Sequence, residues 1–232
     1  AYYYFELVKF FGDVPLFTEA RLTAGQAGTL TRTPKDEVYA QIELDLQNAI
    51  ASLPNSQSQV GRVNKYTAYA LLGKVLLYQD KFAEAASALD NVIGVYSLVS
   101  DYGSQFLRFG ENGPESVFEI QYSNQSNWYD WGCAHCSEGN YAIIMNGPRG
   151  WSGPEYAQGW SFNVPTEEFY NSFEEGDSRR DATVLDIEAF AAATGASYTE
   201  GYDHTGYFNN KYIPRAGESG GQTELNYLTN FR

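Results

Sequence analysis

Apolar residues recur at helical spacing through the first hundred positions and lose that rhythm afterwards. Tyr3, Leu7 and Phe10, with Tyr4, Val8 and Phe11, repeat at threes and fours, which predicts a helix. Gly12 supplies its C-terminal stop, and Pro15 forbids continuation. Residues 18–32 are rich in Thr, Gly and Ala without a period and read as surface loop. Thr33 as N-cap, Pro34 in the first turn and Asp36 just beyond predict a second helix. It carries one apolar stripe, Val38, Ile42, Leu46, Ile50 and Leu53, and ends at Pro54. Gly61 and Asn64 introduce a third helix over about 65–79, and Asp80 caps a fourth over about 81–94.

The last two helices have the spacing of a tetratricopeptide helix–turn–helix in Tyr69, Leu72, Gly73, Leu76, Phe82, Ala85, Leu89 and Val92. Small residues at Gly73 and Ala85 let the paired helices approach, and the large ones fill the groove between them. One such unit cannot bury its own face, so neighbouring helices must cover it. Any antiparallel helix pair could show part of this pattern.

Beyond residue 100 the character changes. Ser116–Tyr122 alternates, with Phe118, Ile120 and Tyr122 on one face and Glu119 and Gln121 on the other, which predicts a strand. Residues 123–164 are Gly, Asn, Ser and aromatic, with little periodicity. Thr166 caps a short helix bearing Phe169 and Phe173, closed by the charged turn Asp177-Ser178-Arg179-Arg180-Asp181. Ala189–Thr194 adds a short helix, Tyr207–Ile213 a strand, and Gly217–Gln222 a loop. The expected fold is mostly α. Tetratricopeptide-like helix pairs over 1–100 carry an irregular, loop-rich region over 101–232 with short strands and helices. An irregular stretch of this length inside a compact domain tends to be functional.

Charge narrows the function. With 15 Lys and Arg against 29 Asp and Glu, the net charge of −14 argues against a nucleic-acid partner, which needs a dense basic face. No apolar run is long enough to span a membrane. The opening Ala1-Tyr2-Tyr3-Tyr4-Phe5 reads as the interior of a helix, so the chain is expected to be part of something longer. Cys133 and Cys136 form one C-x-x-C around His135, in a loop of Trp, Gly, Ser and Glu. A closed zinc site needs four ligands, and a thioredoxin-type pair opens a helix after a strand. The pair therefore reads as a local disulfide or as two ordinary thiols, and neither a metal nor a cofactor is expected.

The order of these pieces resembles the SusD/RagB family of Bacteroidetes surface lipoproteins, which capture nutrients, chiefly glycans. The resemblance begins with Tyr3-Tyr4-Phe5-Glu6-Leu7-Val8-Lys9-Phe10-Phe11-Gly12-Asp13-Val14-Pro15-Leu16. It continues through Thr33-Pro34 to Leu53-Pro54, Gly61-Arg62 to Ala85, and Glu115-Ser116-Val117-Phe118-Glu119-Ile120. It ends with Pro165-Thr166-Glu167-Glu168-Phe169 to Asp177-Ser178-Arg179-Arg180. The resemblance implies an outer-membrane, surface-exposed lipoprotein. Its lipid anchor and flanking helices would lie outside this chain. It also implies a partner, a SusC-like TonB-dependent transporter over whose mouth the protein sits. No ligand residue carries over from the family, because that site varies between its members.

The residues themselves nominate the site. All four tryptophans fall between Trp128 and Trp160, among Tyr122, Tyr129, Tyr141, Tyr156 and Phe162. Sugar rings offer flat C–H faces that stack on aromatic planes, and hydroxyls that need amide and carboxylate partners. Here Asn124, Gln125, Asn127, Asp130, Asn140, Asn146 and Gln158 supply such partners, and Arg149 is the lone cation, which suits a neutral ligand. Trp128, Tyr129 and Trp131 rank first, with Asn127 and Asp130 beside them, because the stretch sets three aromatics beside polar groups in a loop. Trp151 follows, since its flanking glycines offer no evident packing. Trp160 precedes Phe162 and Val164 and reads as buried. Large aromatics also fill irregular cores, so each tryptophan has a packing role as its alternative.

Catalysis has weaker support. No carboxylate pair sits in a glycosidase frame, and neither His135 nor His204 has a nucleophile motif around it. No phosphate-binding glycine loop is present. The expected function is non-catalytic capture of an oligo- or polysaccharide. The alternatives are a tetratricopeptide-type protein-interaction module and, behind it, a glycoside hydrolase.

Overall fold

The computed structural model describes residues 1–122, 140–211, 213–217 and 229–231. They form two compact units, Ala1–Ser97 and Leu98–Asn230.

The first unit is helical: α1 (Tyr2–Phe11), α2 (Ala24–Ala27), α3 (Lys35–Ser52), α4 (Lys65–Leu77) and α5 (Phe82–Leu89). Helix α1 packs on α3, α3 on α4, and α4 on α5. α4 is the centre. It buries Thr67, Ala68, Ala70, Leu71, Leu72, Gly73, Val75 and Leu76, nearly all round, as a helix with neighbours on both sides must. Asn64 begins it with a reciprocal cap: its side chain accepts from Thr67 N, and the Thr67 hydroxyl oxygen accepts from Asn64 N. The α3 stripe is as the periodicity predicts, with Val38, Ile42 and Leu46 buried and Ile50 and Leu53 packed at its edge.

Several local expectations are corrected. Helix α3 takes Pro34, not Thr33, as its N-cap. A proline cannot supply a capping side chain, so Asp13 does so from another segment, its Oδ1 accepting from Lys35 N at 2.8 Å. Thr33 instead bridges to Val14. The loop over 18–32 contains α2, started by a Thr23–Gln26 capping box. Asp80 is a left-handed turn residue at φ 59°, and Lys81 precedes α5, which stops at Leu89. On α1 the buried side chains are Phe5 and Val8, while Tyr3, Phe10 and Phe11 are exposed. That helix is apolar on most sides, so periodicity alone could not say which side turns inward. Gly12 does end α1, at φ 65°.

The second unit holds β1 (Phe118–Glu119), α6 (Tyr141–Asn146), α7 (Glu167–Asn171), α8 (Arg179–Thr183), β2 (Val184–Asp186), α9 (Ile187–Thr194) and β3 (Tyr207–Asn209). A 3-10 turn, Tyr102–Phe106, precedes them. β2 and β3 are antiparallel, with Leu185 opposite Phe208. Both belong to the core of this unit, with Tyr156, Ile187 and Ile213. Thr166 and Asp186 cap α7 and α9, and Gly195 ends α9 in the left-handed region. The predicted charged turn at 177–181 runs into α8. β1 is far shorter than the alternation over 116–122 predicts, and its burial is inverted. Glu119 is buried, accepting from Asn112 N at 3.0 Å, while Ile120 is exposed. Partnering of the carboxylate decides that face.

Candidate functional site

The first-ranked site residues, Asn127, Trp128, Tyr129, Asp130 and Trp131, lie outside the described residues, as do Cys133, His135 and Cys136. The other two tryptophans of the aromatic stretch are placed, on a segment whose course is dictated by backbone bonding. Helix α6 ends with carbonyls that have no intrahelical partner. The returning chain satisfies them: Trp160 N donates to Ile144 O, Phe162 N to Met145 O, and Ser161 N to Gly147 O, at 2.7–2.8 Å. Two glycines make this approach possible. A Cβ on Gly159 would lie 2.3 Å from Gly147 Cα.

Along this return, Ser161 and Asn163 both adopt left-handed backbone, at φ 59° and 55°. Non-glycine residues rarely do so, and two in alternation break the extended pleat that would turn Trp160, Phe162 and Val164 to one side. Phe162 is consequently 50% exposed, its ring edge-to-face with Trp160 at 6.2 Å. Arg149 braces the pair. Its Nε donates to Trp160 O at 2.7 Å, and its guanidinium lies 5.7 Å from the Phe162 ring centre. Asn163 donates to the buried Asn146 at 3.1 Å, so Asn146 serves the interior. The sequence reading of Trp160 as buried missed this ridge, because the two left-handed residues have no strong signature in Ser and Asn.

Trp151 is half-buried at the margin of the second core. It meets Tyr156 edge-on at 5.9 Å and Phe190 at 6.0 Å. Packing that its flanking glycines do not reveal thus comes from α9, and Gly153 is pressed against Ala196 and the Trp151 ring. The Trp151 indole N–H is buried without a hydrogen-bond partner among the described residues. Tyr156 beneath it is buried. Its hydroxyl donates to Asn210 Oδ1 at 3.3 Å, and desolvation raises its pKa against the opposing pull of Arg215.

A separate cleft of about 430 Å³ opens between the 3-10 turn, the end of α7, the start of α8 and Lys211. Tyr102, Phe169 and Phe173 supply its rings. Asp177 at its border is gripped by Arg179, whose backbone N–H, Nε and Nη2 all donate to the carboxylate. Those hydrogen bonds hold the Asp177 pKa down at about 2. Among the described residues there is no cluster of three or more His, Cys, Asp or Glu side chains able to hold a metal ion, and no helix long and apolar enough to cross a membrane.

Comparison with known proteins places the chain in a family. Residues 1–77 match the SusD-like family model described as starch-binding associating with outer membrane. SusD-like protein P2 of Formosa agariphila is 30% identical over 98% of this chain and 47% of its own length. A laminarin binding SusD-like protein is 39% identical with a TM-score of 0.87, over 97% of this chain and 53% of that one. Surface glycan-binding protein A from Bacteroides thetaiotaomicron, solved in complex with laminarihexaose, is 27% identical with a TM-score of 0.85 over the whole of this chain and 52% of that one. The chain belongs to the SusD-like family. It spans about half the length of these relatives.

Proposed function

We propose that this chain is part of a non-catalytic, surface-exposed outer-membrane lipoprotein that binds a β-glucan of the laminarin type and delivers it to a SusC-like TonB-dependent transporter. The observation that carries the reading is the likeness, over nearly the whole chain, to a laminarin binding SusD-like protein at 39% identity. A neighbour of similar fold solved with laminarihexaose supports the same ligand class. The aromatic sequence Asn127, Trp128, Tyr129, Asp130 and Trp131, together with Trp151 and the Trp160–Phe162 ridge, supplies the stacking planes. Arg149 and the amides of that stretch supply hydrogen bonds. Each sugar is held weakly, and the polymer is retained because many units engage.

The test is tryptophan fluorescence titrated with laminarin and, separately, with starch. All four tryptophans lie in the proposed region. A saturable change with laminarin and none with starch is expected. Trp128→Ala and Trp131→Ala should each weaken binding roughly tenfold, since a face-on contact with one aromatic ring is worth on the order of 1 kcal/mol and about 1.4 kcal/mol is tenfold in affinity. No response to laminarin from the folded protein would overturn the reading.

A further inference from the structure

We infer that the cleft between Tyr102, Phe169, Phe173 and Lys211, whose lining includes neither Trp151 nor Trp160, is a further saccharide subsite for a neutral hexose unit of the same glycan. This rests on the glycan-binding reading above. The volume, about 430 Å³, falls in the range of small-molecule sites, and the opening leaves room for a chain to enter and leave. Its walls are aromatic without being a sealed core. Phe169 is 46% exposed, and its ring meets that of Phe173, just beyond the end of α7, edge-to-face at 5.3 Å. An exposed ring braced in this way offers a fixed plane at little entropic cost.

The charges sort themselves in favour of hydroxyls. Asp177 and Arg179 neutralise each other through four hydrogen bonds, so neither is a free charge facing a ligand. That leaves Lys211 and Glu174. The Lys211 ammonium lies 5.1 Å from the Tyr102 ring centre and 4.9 Å from that of Phe106, and has no ion-pair partner among the described residues. It is a positioned donor; Glu174 is an acceptor, and the Ser172 hydroxyl is both. One donor, one acceptor and flat apolar planes with no net charge match a neutral sugar. An anionic sugar would face Glu174 within a protein of net charge −14. A glycan held in this cleft and against Trp151 or Trp160 at once gains by effective concentration, so the subsite matters for polymers and not for short oligosaccharides.

Two variants test this. Phe169→Ala removes the exposed plane, and Ser172→Trp fills the cleft from an exposed position. Each is titrated with polymeric laminarin by calorimetry and with laminaritriose by tryptophan fluorescence, circular dichroism confirming the fold. Expected is a loss of roughly tenfold or more for the polymer, with the triose affinity within about twofold of wild type. Polymer affinity unchanged in both variants overturns the second subsite and leaves the glycan reading standing. Absence of binding to either sugar by the unaltered protein overturns both.

Discussion

Gly159 rests directly on Gly147, so close that a β-carbon at 159 would stand 2.3–2.5 Å from three backbone atoms of its neighbour. Backbone, unlike a side chain, has no rotamer into which to retreat. Gly159→Ala should therefore cost about 1–3 kcal/mol of stability. The contact aligns the hydrogen bonds that hold Trp160 and Phe162, so on the proposed function glycan affinity should fall as well. By contrast Gly25→Ala in α2 meets nothing within 4 Å and should be neutral or stabilising by up to about 1 kcal/mol. Urea melts of the two variants compare them directly.

Gly73 tells a related story in the helical unit. A Cβ there would lie 2.5 Å from Leu89 Cγ, a side chain able to move. Gly73→Ala should cost about 1–3 kcal/mol with Leu89 in place. In a Leu89→Ala background the same change should gain about 0.5–1 kcal/mol from helix propensity alone. Equal effects in the two backgrounds would deny that this contact sets the approach of α4 and α5.

Asp13 acts as a cap for a helix that begins far along the chain from it. Asp13→Ala should cost about 1 kcal/mol, the usual worth of an N-terminal cap, and Asp13→Asn should retain most of it. The measurement is the denaturation midpoint of each variant against wild type.

The Asp177–Arg179 pair sets an acid limit. The Asp177 pKa is depressed to about 2, chiefly by hydrogen bonds from the Arg179 side chain, then by its backbone N–H. A carboxyl lowered on folding stabilises above its unfolded pKa, about 4, and loses that contribution as pH falls through the folded value. The stability advantage of wild type over Arg179→Ala should be full above about pH 4 and gone near pH 2. The Asp177 carboxyl carbon, followed by NMR, should titrate near 2 in wild type. In the variant it should titrate higher, with the side-chain hydrogen bonds lost and the backbone N–H of residue 179 retained. A wild-type midpoint near 4 would contradict the pairing.

Legibility followed locality. The stripe of α3, the Asn64 cap and the Gly12 stop were readable because each depends on residues within a turn or two. The buried side of α1 and the inverted faces of β1 were not, because what each side chain meets comes from elsewhere in the chain. Phe5 packs on Tyr39 and Tyr78, and Glu119 is drawn inward by Asn112. Trp151 was singled out for lacking neighbours that α9 in fact provides. Trp160 reads as buried from its place before Phe162 and Val164, yet two left-handed residues break that run and leave Phe162 exposed beside it.

The sequence by itself determined the helical first half, the aromatic and amide-rich second half and the ordered segments that mark a SusD-like chain. Periodicity, caps and composition are properties of neighbouring residues, and they survive without coordinates. Only the tertiary structure decided which rings are walls and which are surfaces. It put Lys211 over Tyr102 and Phe106, and it assembled the cleft from segments of the chain that no local pattern connects. Burial and contact are settled by what packs from a distance, and there the decisive partner is rarely the adjacent residue.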